Sequence, residues 1–163
     1  VSFPFADDNA EASALSSAKG KDTMKIPGGG TSPSASLINK KSQNISETIL
    51  IKKTTLDDYF YKKNQIPVNF IKCDAEGHEL EVLKGGEQLL RKFHPIISLE
   101  SEARHRGIDN VISVFDFLNK LDYKGFFVDG GSMLSLDNFN IEKHQLNNDE
   151  KNYVNNFFFI PKQ

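Results

Sequence analysis

The stretch VNFIKCDAEGHELEVLKGG, Val68 to Gly86, decides how the chain is read. Val68 to Ala75 is a short apolar run closed by turn residues, the pattern of a buried strand. From Glu79 to Phe93, Leu80, Leu83, Leu89 and Leu90 supply one apolar face, so a helix follows the strand directly. Between the two lie Asp74, Glu76, Gly77 and His78. Gly77 can take the positive φ of a tight turn. Asp74 stands at the carboxyl end of the strand, where open α/β sheets bind ligands. A carboxylate at that spot can equally cap the following helix.

Working outward, the alternation continues. PIISLE (Pro95 to Glu100) reads as a second buried strand with proline confined to its first residue. Val111, Val114, Phe115, Leu118 and Leu121 recur at helical spacing. YKGFFVDG gives a third strand, turned by Asp129-Gly130-Gly131, and YVNNFFFIP a fourth. Upstream, Thr48 to Lys53 alternates as a strand. Thr55 then stands as an N-cap, with Asp57 and Asp58 at the positive end of the next helix. The order predicts an α/β fold with an open, mostly parallel sheet and an antiparallel last strand. Residues 6–47 are rich in Ser, Ala, Asn, Lys and Gly and are expected to be loop-rich, above all at PGGGTSPSAS.

Bulk properties exclude several classes. The chain has 163 residues, 38% hydrophobic and 26% charged, which suits one globular domain. Thirteen Phe and no Trp point to a core built around phenylalanine. A net charge of -2, from 20 basic and 22 acidic residues, carries no nucleic-acid or polybasic membrane footprint. No apolar run approaches the roughly 20 residues of a membrane span. One cysteine, Cys73, cannot form an internal disulfide, and a cytoplasmic setting is expected. There is no G-x-G-x-x-G, no P-loop and no serine-hydrolase elbow. His78 has no second His at i+4, and the acids Asp74, Glu76 and Glu100 follow no metal-ligand spacing, so no metal is assigned.

The candidate site residues are therefore those of the strand ends. Asp74 and Glu100 close the two buried strands. His78 is a base by residue type, or a surface or capping histidine. Lys72, inside the strand, shares a face with Asp74 and either pairs with it or snorkels at the sheet edge. Cys73 lies within the strand and reads as packing. Glu79 and Glu81 read as helix-start electrostatics.

TTLDDYF, VNFIKCDAEGHELEVLKGGEQLL, HPIISLESE, LDYKGFF and NNFFFIPK occur in the order seen in the FkbM family of S-adenosylmethionine-dependent methyltransferases. The resemblance runs over residues 54–160, and more loosely over VSFPFADDNA. It implies a Rossmann-like class I methyltransferase fold and methyl transfer to a sugar or natural-product hydroxyl. By position it implies catalytic roles for Asp74, Glu76, Glu100 and His78, and cofactor contacts for Lys72, Asp74 and Gly77. The family's first strand, its Gly-rich turn and its ribose-binding acid have no counterpart in these residues. The chain is accordingly expected to be a single domain incomplete at its N-terminus: a fragment, a half-length product, or one completed by another chain. The rival expectation is a non-catalytic module of the same fold that binds a partner or glycan. Lacking its first strand, the VNFIKC strand should expose an edge, through which the chain dimerises or over which residues 1–47 fold.

Overall fold

A computed structural model describes residues 13–27, 45–63, 65–147 and 150–162. Five strands build the main sheet: β4 (Phe70–Cys73), β5 (Ile96–Glu100), β6 (Tyr123–Asp129), β7 (Ser132–Ser135) and β8 (Asn156–Pro161), in the order β4-β5-β8-β6-β7. A second sheet of three strands, β1 (Ser13–Leu15), β2 (Gly20–Pro27) and β3 (Ile45–Thr54), has the order β1-β3-β2. The described residues also form four α-helices, α1 (Glu79–Lys84), α2 (Glu87–Phe93), α3 (Ala103–Arg106) and α4 (Ile108–Lys120).

The expectation of a mostly parallel sheet is corrected. Within the main sheet, among the described residues, only β4 and β5 pair in parallel; β8 runs antiparallel between β5 and β6, and β6 turns back into β7. Because β8 sits inside the sheet, it converts two neighbour contacts to the antiparallel kind. The parallel β4-β5 pair needs a crossover, which α1 and α2 supply. The β6-β7 hairpin turns on Gly130 and Gly131 at φ 56° and 80°, the positive pair that a tight two-residue hairpin demands. Strands β1, β2 and β7 went unread in the sequence. The two former lie within the segment expected to be loop, whose residues 28–44 are outside the described ones.

The helix expected over 79–93 is two helices. At Gly85 a Cβ would lie 2.1 Å from the Ser16 carbonyl oxygen, and at Gly86 one would lie 2.9 Å from Leu56 Cδ1. The glycine pair lets the end of β1 and the start of the π-helical segment Asp57–Lys63 press against the helix junction. Asp57 completes the join. Its carboxylate accepts from the backbone N–H of Gln88 (3.1 Å) and Leu89 (2.8 Å), capping α2 from 31 residues away. Thr55 Oγ1 accepts from Asp58 N at 3.0 Å, the local cap that the sequence predicts.

The two faces of the main sheet differ. Ile97, Leu99, Phe127, Phe157 and Phe159 are 0–1% exposed and pack under α1, α2 and α4 with Leu83, Leu89, Val114 and Leu118. Phe115 of α4 meets Phe157 edge-on at 4.8 Å and Phe139 at 5.8 Å, and such pairs add about 0.5–1.5 kcal/mol each beyond burial. Phenylalanine thus contributes to the core, but among the buried described residues leucine outnumbers it, so the composition overstates its share. The other face carries Phe70, Ile96, Val128, Met133 and Ile160, all 38–59% exposed. Among the described residues β4 hydrogen-bonds only to β5. No helix among them is long and apolar enough to cross a membrane.

Candidate active site

The carboxyl ends of β4, β5 and β6 and the start of antiparallel β8 share one edge, since Glu100 pairs in register with Asn156. Asp74 follows β4 immediately and lies exposed there. Lys72 Nζ donates to it at 3.1 Å while remaining largely in solvent, so the lysine both pairs and snorkels. The chain then turns through Glu76 at φ 52° and Gly77 at φ 94°. Glycine tolerates that geometry; glutamate holds it at a cost of about 1 kcal/mol or more.

Glu79 is what holds it. This side chain is buried, with 1% exposure, and Oε1 accepts from Ala75 N at 3.0 Å and Gly77 N at 2.8 Å. Glu79 does stand in the first turn of α1, as the helix-start reading has it, but it also fastens the turn that presents Asp74 and Glu76. Glu81 is closer to its reading, bonded at the surface to Ser17 at 2.6 Å and Lys84 at 3.4 Å.

A cavity of about 780 Å³ opens between β4 and the three-stranded sheet. Leu15, Met24, Phe60 and Ile71 give it apolar walls, and Lys72, Asp74, Glu76 and His78 a polar end. Gly77 is buried in the turn behind this end. Cys73 also borders the cavity, but burial pushes its thiol up to about 12, which fits packing rather than nucleophilic work. His78 Nε2 lies 3.0 Å from Ser16 Oγ, tying α1 to the residue after β1. Burial lowers its pKa, only partly offset by Glu81.

Glu100 is gathered into a different cluster, one strand over. Asn155 Nδ2, just before β8, donates to Glu100 Oε1 at 3.0 Å and to Glu102 Oε1 at 3.3 Å. Glu102 is 1% exposed, and its carboxylate also accepts from Tyr153 OH and from Arg104 Nη2 at 2.8 Å. His105 Nε2 stands 3.6 Å from Glu102 Oε1 and 3.7 Å from Glu76 Oε2, linking this cluster to the β4 turn. Burial, the hydrogen bond to Glu102 and the charges of Asp74, Glu102 and Glu76 push Glu100 up to about 7. Burial also opposes the charge on Glu102. Hydrogen bonds from Tyr153, Glu100 and Asn155, with the Arg104 guanidinium, outweigh it and hold that carboxyl below the ordinary range.

The structure thus brings Lys72, Asp74, Glu76 and His78 to one cavity and sets Glu100 beside them. Sequence reading missed Glu102, Tyr153 and Asn155. The available signal was Glu-Ser-Glu straddling a strand end; Tyr153 and Asn155 lie 51 and 53 residues away from Glu102 and carry no local mark.

Among these described residues no group of three or more metal-ligating side chains converges on a point that could hold a metal ion. No curated protein and no solved structure matches the chain. The family described as the Methyltransferase FkbM domain matches residues 4–125, a span that takes in most of VSFPFADDNA and the motifs from TTLDDYF to HPIISLESE, ends within β6 and leaves NNFFFIPK outside. That match spans well over half of the 163 residues, and the chain belongs to the FkbM methyltransferase family.

Proposed function

We propose that the chain belongs to an S-adenosylmethionine-dependent O-methyltransferase acting on a sugar or natural-product hydroxyl in the cytoplasm. One observation carries the reading: Asp74 and Glu76 border a cavity of about 780 Å³ while Glu100, poised near neutrality, stands next to them. The cavity suits the cofactor's chemistry. Its apolar walls fit an adenosyl group, and its carboxylates fit the cationic sulfonium and amine.

When bound, S-adenosylmethionine supplies an electrophilic methyl group whose bonding pair stays on sulfur. The protein's part is to hold the acceptor hydroxyl and take its proton as the oxygen forms its new bond to carbon. Asp74 and Glu76, presented by the Glu79-fastened turn, orient hydroxyls by accepting their hydrogen bonds. Glu100 is the proton acceptor. A carboxyl titrating near 7 is half ionised at neutral pH, where a general base works best. His78, its Nε2 bonded to Ser16, orients the cavity wall and is not the base in this reading.

Calorimetric titration of the full chain with S-adenosylmethionine and with its demethylated product tests the proposal. Binding heat with both is expected, weakened at least about tenfold by Asp74→Ala, equivalent to about 1.4 kcal/mol. No heat and no thermal shift with either would overturn the cofactor assignment.

A further inference from the structure

We propose that Glu100 and Glu102 hold one proton between them, and that Glu102 is the positioning residue that keeps this proton on Glu100. The inference deepens the role given to Glu100 above and rests on that reading for its catalytic meaning. Its own evidence is geometric. A single amide nitrogen, Asn155 Nδ2, serves an oxygen of each carboxyl, at 3.0 and 3.3 Å. Two carboxyls gripped by one donor are too close to be ionised together without large repulsion, so they share a proton.

The surroundings decide which member keeps it. Glu102 receives the hydroxyl of Tyr153 and two guanidinium nitrogens of Arg104, with His105 at 3.6 Å, and it is buried away from water. These donors all favour its ionised form. Glu100 receives the Asn155 amide and feels the charges of Asp74 and Glu76 from the β4 turn and of Glu102 beyond its own strand. Lys72, on the neighbouring strand β4, is engaged with Asp74. Negative neighbours, with no cation in ion-pair contact with it among the described residues, favour a protonated Glu100. The pair is thus asymmetric by construction, with a locked anion and an exchangeable acid half exposed at the sheet edge.

A protonated Glu100 donates to an acceptor oxygen and fixes its position. Once its proton has left to solvent, the carboxylate accepts the hydroxyl proton of that acceptor. Glu102 touches neither; it sets the pH at which the exchange occurs.

The test is a pH titration of the full chain with 13C-labelled glutamate, following side-chain carboxyl shifts without any ligand. One carboxyl is expected to titrate near neutrality and to disappear in Glu100→Gln. In Glu102→Gln it should move toward the ordinary glutamate value of about 4.3. If that variant fails to fold, Tyr153→Phe serves instead: with its hold on Glu102 weakened, the neutral transition should appear on two resonances rather than one. Absence of any glutamate titrating between about pH 6 and 8 in the wild type would overturn the proposal. So would a transition that Glu102→Gln leaves in place, or one that stays on a single resonance in Tyr153→Phe. Because no cofactor is present, failure to bind S-adenosylmethionine would defeat the methyltransferase reading while leaving this result intact.

Discussion

Glu79 takes a carboxyl group into the interior and uses one oxygen to secure two backbone N–H groups of the turn it follows. Replacing it with alanine orphans both donors beneath a turn that already holds Glu76 at φ 52°. Glu79→Ala should lower stability by about 2–4 kcal/mol, read from the urea midpoint. Glu79→Gln, which retains the accepting oxygen, should recover most of it. If alanine and glutamine cost the same, the buried charge rather than the turn is what matters. At this scale the sequence was half informative. Asp74 and Glu76 were visible because a strand end and a turn mark them locally. Glu79 looked like any acid in a first helical turn, since nothing in its neighbours reveals that it points inward. Glu102 was hidden for another reason: its partners Tyr153 and Asn155 come from the far end of the chain.

Among the elements, the Thr55-Leu56-Asp57-Asp58 run shows how one short motif can serve two helices. Thr55 caps its own segment, while Asp57 reaches across to the backbone of Gln88 and Leu89. Asp57→Ala should therefore cost about 1–2 kcal/mol, as losing a helix cap does, although Asp57 belongs to a different element from the helix it caps. Hydrogen exchange would locate the loss: amides of α2 should lose protection, more than those of the Asp57–Lys63 segment. Strand and helix types were legible wherever apolar periodicity was strong, as in β4, β5, α4 and β8. The split of α1 from α2 was not. Leu80 to Leu90 keeps a helical pattern through Gly85 and Gly86, and only the approach of Ser16 and Leu56 breaks it. The place of β8 in the sheet was also beyond local reading, because strand order is set by long-range pairing.

For the whole molecule, pH acts through Glu100. Its pKa is raised from 4.5 to about 7 by burial, Glu102 and the neighbouring acids, so the folded chain binds more protons than the unfolded one between those values. Stability from this group is full below about 4.5 and is lost as pH rises through about 7. Glu102, Glu81 and Asp22 are shifted the other way, and what they contribute is lost only on acidification below the ordinary carboxyl range. His78, whose pKa burial lowers, opposes this by adding stability as pH rises through the imidazole range, so Glu100 is read as a difference: from pH 5 to about 7.5 the urea midpoint of the wild type should fall relative to that of Glu100→Gln. A wild-type midpoint that rises relative to Glu100→Gln over the same interval would contradict the assignment. The outer face of the main sheet bears on calorimetry. Phe70, Ile96, Val128, Met133 and Ile160 already meet water in the folded chain, so unfolding hydrates less new apolar surface there. Since newly wetted hydrocarbon is what raises heat capacity, the increment on unfolding should fall below the usual value of about 12–15 cal/mol/K per residue. Scanning calorimetry reads this directly, and an increment in the usual range would mean that a second molecule or segment covers the face in solution.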